Sequence, residues 1–196
     1  MGARRVDRLQ SAQEEFKKLY PGVRFEYRQL DVTNLQQIRD VTFDIEKTLG
    51  GLDVVVANSG VLVGGPVGEG KIEDIKKSID VNITGAFVTV DTAVEVFRRN
   101  KKGGHIVGIS SVVAFRGTPG LSVYSATKAA LNLYLQVVQE ETKGDNISVT
   151  TISPGLTDTE MTSAFKRPHM ITAEESARQI YEHVANKSSH AIIPLL

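Results

Sequence analysis

Short runs of β-branched and apolar residues recur along the chain, and longer amphipathic stretches separate them. A short apolar run that ends at turn-forming residues is typical of a buried β-strand. Residues 52–57 (LDVVVA) are the clearest run, and they predict a strand that is buried on both faces. The predicted strands are residues 23–30, 52–57, 105–109, 147–152 and, at the end, 191–193.

The amphipathic stretches predict helices, because their apolar residues recur with the helical period. The predicted helices are residues 35–49, 72–100 with a break near Asn82, 122–143 with Gly144 as C-cap, and 172–186. The last of these starts with Thr172-Ala173-Glu174-Glu175, which has the form of a capping box. Strands that alternate with helices indicate an α/β fold with a doubly wound parallel sheet.

Polar or turn-forming residues lie just past the carboxyl ends of four of the predicted strands. They are Asp31, Asn58, Ser111 and the pair Pro154-Gly155. Any one of them is explained by strand termination alone. Ligands of open parallel sheets bind at the carboxyl ends of the strands, so four such positions together favour a binding site along that edge.

Tyr124 and Lys128 are four residues apart at the start of a predicted helix and therefore share one face. A cation beside a phenol favours the phenolate and lowers the Tyr pKa, which suits a general acid or base. Ser111 lies at the tip of the preceding strand, where its hydroxyl could hold a carbonyl oxygen. Ser110 is the alternative, because neighbouring side chains of a strand point to opposite faces. A surface Tyr and a solvated Lys remain the simpler explanation of the pair taken alone.

Composition narrows the classes of function. The chain has 196 residues, which suits one domain, and its Lys plus Arg count equals its Asp plus Glu count at 23 each. This balance argues against binding to nucleic acid or a membrane surface. The chain has no Cys, and its four His residues lack the spacing of metal ligands, so we expect no metal site. We expect a cytoplasmic protein.

Several segments together resemble the short-chain dehydrogenase/reductase family, from about Gly2 to Met161. They are Asn58-Ser59-Gly60, Val81-Asn82-Ile83-Thr84-Gly85, the segment 104–111, Tyr124-Ser125-Ala126-Thr127-Lys128-Ala129-Ala130, Pro154-Gly155 and Thr159-Glu160-Met161. The resemblance implies a Rossmann-type, three-layer α/β/α fold. Ala57 and Ser59 depart from the family's usual Asn and Ala.

The resemblance also assigns roles. It implies that Tyr124 is the catalytic acid/base, that Ser111 orients the substrate oxygen, and that Lys128 binds the nicotinamide ribose and lowers the pKa of Tyr124. Asn82 is expected to hold a water of the proton relay from a helix kink. The residues expected around the cofactor are Asn58, Gly60, Asp31, Val32, Pro154, Gly155 and Thr159.

Cofactor preference has a local signal near the N-terminus. The segment 2–9 resembles the end of the family's second strand and the helix after it, and Arg4 and Arg5 stand where NAD-dependent members carry an acidic residue. A basic pair suits a 2′-phosphate, so NADP(H) is favoured and NAD(H) stays possible. The alternative is a basic helix start on the surface.

The family's first strand and its Thr-Gly-x-x-x-Gly-x-Gly phosphate loop do not occur in the sequence. That strand normally lies in the middle of the sheet, so we expect residues 1–196 to form one Rossmann-type domain with a gap. The C-terminal end also resembles a strand whose following segment is short. A fragment of a longer protein is the favoured explanation, and a natural truncation that lost cofactor binding is the alternative.

The resulting hypothesis is an NADP(H)-dependent enzyme that interconverts a carbonyl and a secondary alcohol. Its partners are a small-molecule substrate and further copies of itself, as a homodimer or homotetramer. The alternative is a non-catalytic, dimerising interaction module. The segment 157–171 is the expected lid, and its Met161, Phe165 and Met170 suggest an apolar pocket.

Overall fold

The computed structural model describes residues 1–165, 168, 170–186 and 190–193. The strands of this part are β1 (Gly2–Ala3), β2 (Arg28–Gln29), β3 (Val54–Ala57), β4 (Gly104–Ile109), β5 (Ile147–Pro154), β6 (Thr157–Asp158), β7 (Ile171–Thr172) and β8 (His190–Ile193). The helices are α1 (Val6–Leu19), α2 (Leu35–Leu49), α3 (Ile72–Ile79), α4 (Ala86–Asn100), α5 (Ser122–Glu141) and α6 (Ala173–Ala185).

The main sheet is parallel and has the order β3-β4-β5-β8. Strands β1 and β2 form a separate two-stranded parallel sheet, and β6 pairs with β7. The separation of β1 and β2 from β3 agrees with a Rossmann-type sheet that lacks its middle strand. Helices and strands alternate as the hydrophobic pattern predicts, which confirms the α/β fold class.

Two hydrophobic clusters lie on opposite faces of the main sheet and establish its three layers. The larger cluster joins Ile106 and Val149 of the sheet to Phe97 of α4 and Leu135 of α5. The smaller one contains Val107 and Ile152, with Ile180 and Val184 of α6 packed against it. Since alternate residues of a strand point to opposite faces, β4 and β5 supply both clusters.

Two predicted strands differ from the structure. The prediction for residues 23–30 is wrong except at Arg28–Gln29, because β1 offers only two residues for pairing. The strand predicted at 52–57 is shorter, and its burial on both faces is wrong. The side chain of Val54 is 45% exposed and that of Val56 is 50% exposed, whereas Val55 packs against the larger cluster. Among the described strands, β3 pairs only with β4, so it is an edge strand.

The predicted break near Asn82 is confirmed, since a π-helix spans Asp80–Gly85 between α3 and α4. The predicted C-cap at Gly144 is wrong. Helix α5 ends at Glu141, and the chain then forms a 3₁₀ turn over Lys143–Asp145 and reverses at Asn146, whose φ is 56°. The predicted start of α6 is confirmed, because the Thr172 side chain accepts a hydrogen bond from the Glu175 N–H.

Helix α5 approaches β4 closely at one glycine. A Cβ atom on Gly108 would lie 2.2 Å from Cδ1 of Leu135, well inside van der Waals contact. The missing side chain therefore sets how near α5 lies to the strand that carries Ser111 at its carboxyl end.

Candidate active site

A cavity of about 1340 Å³ opens at the carboxyl ends of β4 and β5. It gathers most of the residues that the sequence predicts for a site: Asn58, Gly60, Ser111, Tyr124, Lys128, Pro154, Gly155 and Thr159. Four predicted residues, Arg4, Asp31, Val32 and Asn82, are not among the described residues that line this cavity. The cavity also contains Arg5, Arg8 and Glu160.

Ser111 and Tyr124 line the same cavity. Ser111 precedes a 3₁₀ turn over Val112–Ala114, and its Oγ accepts a hydrogen bond from the Val113 N–H at 3.4 Å. Burial raises the pKa of the Tyr124 hydroxyl, and a side-chain hydrogen bond from Ser111 partly offsets that rise. Both side chains are about nine-tenths buried, which shields the contact from bulk water.

The structure also separates the two neighbouring serines. The Ser110 hydroxyl donates to the backbone carbonyl of Lys128 at 3.2 Å, underneath α5. Both serines line the cavity, but Ser111 is the one that acts on the Tyr124 hydroxyl, while Ser110 ties α5 to β4.

Lys128 is buried, with only 4% of its surface exposed. Its ammonium group donates a hydrogen bond to the Ile109 carbonyl at 2.8 Å and lies 5.8 Å from the centre of the Tyr124 ring. Burial lowers the pKa of Lys128 to about 8. The expected lowering of the Tyr124 pKa by Lys128 does not appear, because desolvation of the phenol dominates.

Asn82 is completely buried in the π-helix and holds a loop and a helix together. Its side chain accepts a hydrogen bond from the Val61 N–H at 2.8 Å and donates one to the Val61 carbonyl at 2.9 Å. It also donates to Thr127 Oγ1 at 3.1 Å, and Thr127 in turn donates to the Tyr124 carbonyl at 2.8 Å. The sequence reasoning missed Thr127, whose signal was its place one helical turn after Tyr124.

Gly60 lies beside the side chains of both Lys128 and Asn82. A Cβ atom at this position would meet Lys128 Nζ at 3.5 Å and Asn82 Oδ1 at 3.6 Å. The segment 58–60 after β3 thus borders the ammonium group, as its place at the strand end predicts.

Asp31 and Val32 do not line the cavity and instead contact other protein residues. Asp31 Oδ1 accepts two hydrogen bonds from Thr33, and these bonds, helped by the nearby charge of Arg4, lower the pKa of the carboxyl. Val32 packs against Gly85, where an added Cβ atom would lie 2.6 Å from the Val32 carbonyl oxygen.

The two predicted arginines separate in the structure. The charge of Arg4 helps to lower the pKa of Asp31, whereas Arg5 lines the cavity together with Arg8. Glu160 forms ion pairs with Arg5 at 3.4 Å and with Arg8 at 2.6 Å. Sequence reasoning missed Arg8 and Glu160 because the pairs join residues more than 150 positions apart.

Part of the expected lid is described. The Thr162 hydroxyl donates to the Thr157 carbonyl at 2.5 Å and accepts from the Thr159 N–H at 3.1 Å, which orders the turn after β6. Met161 lines the cavity and is 45% exposed, and Met170 is half-buried. The side chain of Phe165 lies outside the described residues.

Neither a metal centre nor a membrane span is present in the described part of the chain. No group of three His, Asp or Glu side chains there is arranged to hold a metal ion. Of its helices, none combines the length and apolar character that crossing a membrane requires.

Comparisons with known proteins place this geometry in a family. Residues 1–169 match the short chain dehydrogenase family model. The chain is 34% identical over 163 residues to an uncharacterized oxidoreductase of Mycobacterium tuberculosis, and the match covers 82% of this chain and 64% of that protein. A Myxococcus xanthus oxidoreductase is 31% identical over 195 residues, with 97% and 75% covered. The chain thus spans less than two thirds of the Mycobacterium relative.

Two solved structures have a fold similar to that of this chain. The ElxO protein with NADP bound is similar with a TM-score of 0.83 at 24% identity, covering 98% of this chain and 84% of that one. An alcohol dehydrogenase of Thermococcus sibiricus, complexed with 5-hydroxy-NADP, gives a TM-score of 0.87 at 25% identity, with 100% and 83% covered. The fold, the family model and the relatives lead to one conclusion: the chain belongs to the short-chain dehydrogenase/reductase family of oxidoreductases.

Proposed function

We propose that this chain carries the catalytic part of an NADP(H)-dependent oxidoreductase that interconverts a carbonyl and a secondary alcohol in the cytoplasm. The observation that carries the proposal is the meeting of Ser111, Tyr124 and Lys128 in one cavity. A phenol, a hydroxyl donor and a buried cation are the groups that proton transfer to a carbonyl oxygen requires.

The residues fit the nicotinamide end of such a cofactor. The ammonium group of Lys128 has three donors, and Ile109 accepts one of its hydrogen bonds, so further donors can reach ribose hydroxyls. Asn58, Gly60, Pro154, Gly155 and Thr159 line the same cavity. When bound, the cofactor supplies the hydride that ends on the carbonyl carbon.

The protein residues handle the proton. Tyr124 gives its hydroxyl proton to the carbonyl oxygen as negative charge develops there, and a phenolate remains. We expect the Lys128 ammonium group, 5.8 Å from the centre of the Tyr124 ring, to stabilise that phenolate electrostatically when it forms. Ser111 holds the substrate oxygen next to the phenol. Asn82 and Thr127 position α5 through the Tyr124 carbonyl, and Thr127 is thus a positioning residue.

The preference for NADP(H) is supported by Arg5 and Arg8, because guanidinium groups bind phosphate oxygens well. The ElxO and Thermococcus structures, which hold NADP and 5-hydroxy-NADP, support a nicotinamide cofactor in this family. The substrate side of the cavity is mostly apolar, with Leu62, Val113, Leu121, Leu156, Met161 and Ile180 in its wall. An apolar carbonyl compound suits that wall.

The test is Tyr124→Phe in the protein at its natural length. We expect turnover of NADPH with a carbonyl substrate to fall by about 10²- to 10⁴-fold, because the proton donor is lost, while NADPH binding persists. The matched control is Tyr134→Phe on the same helix, which removes a hydroxyl that donates to the Phe87 carbonyl. Turnover by Tyr124→Phe close to that of the control would contradict the proposal.

A dimerising, non-catalytic protein is the second candidate. Exposed apolar side chains on two helices favour it: Ile72, Ile75 and Ile79 on α3, and Leu133 and Val137 on α5. A homodimer or homotetramer through these helices is compatible with either function. Saturable binding in a fluorescence titration with NADPH favours the enzyme, and a folded dimer without binding favours the interaction module.

A further inference from the structure

Arg116 lies in the segment that joins the two catalytic elements, between Ser111 after β4 and Tyr124 at the start of α5. Much of this segment lines the cavity, including Val113, Arg116 and Leu121. Residues 112–121 contain none of the residues that the sequence predicts around the cofactor. Arg116 therefore belongs to the part of the cavity wall that is left for the substrate.

The other charged residues of the lining are engaged with the protein itself. Arg5 and Arg8 form ion pairs with Glu160, one with each carboxylate oxygen. The ammonium group of Lys128 donates a hydrogen bond to the Ile109 carbonyl at 2.8 Å. Glu160 is the one acidic residue among the described residues of the lining. No described carboxylate of the cavity is thus left to neutralise a further cation.

The guanidinium group of Arg116 has no such partner. Within the described part of the chain it forms neither an ion pair nor a hydrogen bond, and the residue is exposed. Its backbone carbonyl accepts a hydrogen bond from the Thr118 hydroxyl at 3.5 Å. A guanidinium group offers five N–H donors in a planar fork and stays protonated. The cavity wall therefore presents a positive charge whose donors are open to a ligand.

The side chains along this wall match a molecule with two different ends. In the proposed reaction a carbonyl oxygen lies at Ser111 and Tyr124, and the apolar Val113 and Leu121 suit an aliphatic chain. Arg116 then suits an anion at the far end. A carboxylate matches one guanidinium group, because its single charge and two oxygens accept two parallel N–H bonds. A phosphate ester carries about −1.5 to −2 charges and three acceptor oxygens, more than one arginine neutralises.

We propose that Arg116 binds a carboxylate of the substrate, so that the enzyme acts on aliphatic keto acids or on the corresponding hydroxy acids. The inference rests on the proposed function for the reaction, whereas anion binding by Arg116 is independent of it. The keto carbon receives the hydride and the keto oxygen receives the proton of Tyr124. The carboxylate is unchanged by the reaction and serves only to hold the substrate.

The first experiment compares 6-oxoheptanoate with its methyl ester as substrates of the protein at its natural length. The two compounds share a ketone and a chain and differ in charge at the far end. We expect Arg116→Gln to raise the KM for the keto acid by about 5- to 50-fold, because a charge-assisted bidentate contact is lost. The kcat for the acid and the KM for the ester should change little. Arg116→Lys should restore part of the effect, since it keeps the charge without the fork.

The length of the substrate is tested in the same assay with 4-oxopentanoate and 8-oxononanoate and their methyl esters. The chain length at which the wild type most favours the acid over the ester reports how far Arg116 lies from the catalytic residues. The control is Arg24→Gln, which removes an arginine that pairs with Glu26 at 3.0 Å and does not line the cavity. Its KM values for acid and ester should equal those of the wild type.

A second readout needs no turnover. Hexanoate and hexanamide are added separately to the protein, and the arginine Nε–H signals are observed by NMR. We expect one signal to shift on addition of hexanoate and not of hexanamide, and this signal should be missing from the spectrum of Arg116→Gln. Tyr124→Phe should respond to hexanoate like the wild type, although it turns over neither ketone well.

Three results would overturn the inference. The first is an equal preference for acid over ester in the wild type and Arg116→Gln at every chain length. The second is a response to hexanoate that is absent or survives in Arg116→Gln. The third is a rise in the KM for NADPH in Arg116→Gln, which would assign the residue to the cofactor. A protein that reduces no ketone but shifts its Arg116 signal with hexanoate would contradict the proposed function and leave the anion site standing.

Discussion

At the scale of single residues, burial shifts the pKa values of Tyr124 and Lys128 in opposite directions. Desolvation raises the pKa of the phenol and lowers that of the ammonium group to about 8, so it disfavours the charged form of both. Catalysis by the phenolate needs these charges to stabilise one another. The ammonium group instead donates to the Ile109 carbonyl, which holds it in place beneath the cavity.

The depressed pKa of Lys128 predicts a pH-dependent contribution to stability. The unfolded lysine titrates near 10.5 and the folded one at about 8, so between these values the unfolded chain binds more protons. Raising the pH through this window removes that advantage of the unfolded state, and the folded state gains stability. Below about pH 8 the full cost of burying the charge is present.

The variant that isolates this effect is Lys128→Met. Between about pH 7 and about pH 10, we expect the wild type to gain roughly 2–3 kcal/mol in free energy of unfolding relative to Lys128→Met. Urea unfolding of both proteins at the two pH values measures the change, and the other titrating groups cancel in the difference. A constant difference would mean that Lys128 keeps its ordinary pKa in the folded chain.

At the scale of elements, the closeness of α5 and β4 brings the catalytic side chains together. Ser111 follows the end of β4, and Tyr124 and Lys128 lie in the first turns of α5. The approach depends on Gly108, since a side chain there would overlap Leu135. The Ser110 hydroxyl adds a second tie between the same two elements.

Gly108→Ala tests this packing. Because the new methyl group would lie 2.2 Å from Leu135 Cδ1, we expect a loss of about 1–3 kcal/mol in free energy of unfolding. Leu135→Ala leaves room for it, so the double variant should be more stable than the sum of the single losses predicts. The control is Gly22→Ala, where an added Cβ atom meets nothing within 4 Å. Additive losses would show that the two positions do not interact.

At the scale of the whole molecule, strands β1 and β2 do not pair with the main sheet. The described strands form a four-stranded sheet that begins at β3 and a separate pair, β1 and β2. The face of β3 opposite the larger hydrophobic cluster presents Val54 and Val56, each about half-exposed, and among the described strands one edge of β3 has no partner. An unpaired apolar edge is a site for association with other chains.

We therefore expect the 196-residue chain to self-associate and the double variant Val54→Lys/Val56→Lys to do so less. Light scattering across a concentration series measures the change, and urea unfolding should show little loss of stability because both side chains are half-exposed. The control, Val67→Lys, places the same charge at a loop valine that is 85% exposed. Equal association of all three proteins would contradict a role for the β3 edge.

Much of this architecture is readable from the sequence, because it depends on local pattern. The limits of α2 and the break at Asn82 follow from helical periodicity and its interruption. The sharing of one helix face by Tyr124 and Lys128 follows from their spacing of four. Strand ends place Asn58 and Ser111 at one edge of a parallel sheet, where the cavity lies.

Tertiary structure alone decided the rest, because those features depend on contacts between distant residues and on burial. The choice of Ser111 over Ser110 depends on how α5 packs on β4. The role of Thr127 depends on Asn82, which lies 45 residues away in the chain. The directions of the Tyr124 and Lys128 pKa shifts depend on desolvation, which spacing does not reveal. The positions of Arg5 and Arg8 in the cavity, and their ion pairs with Glu160, become visible only when these distant parts of the sequence are folded together.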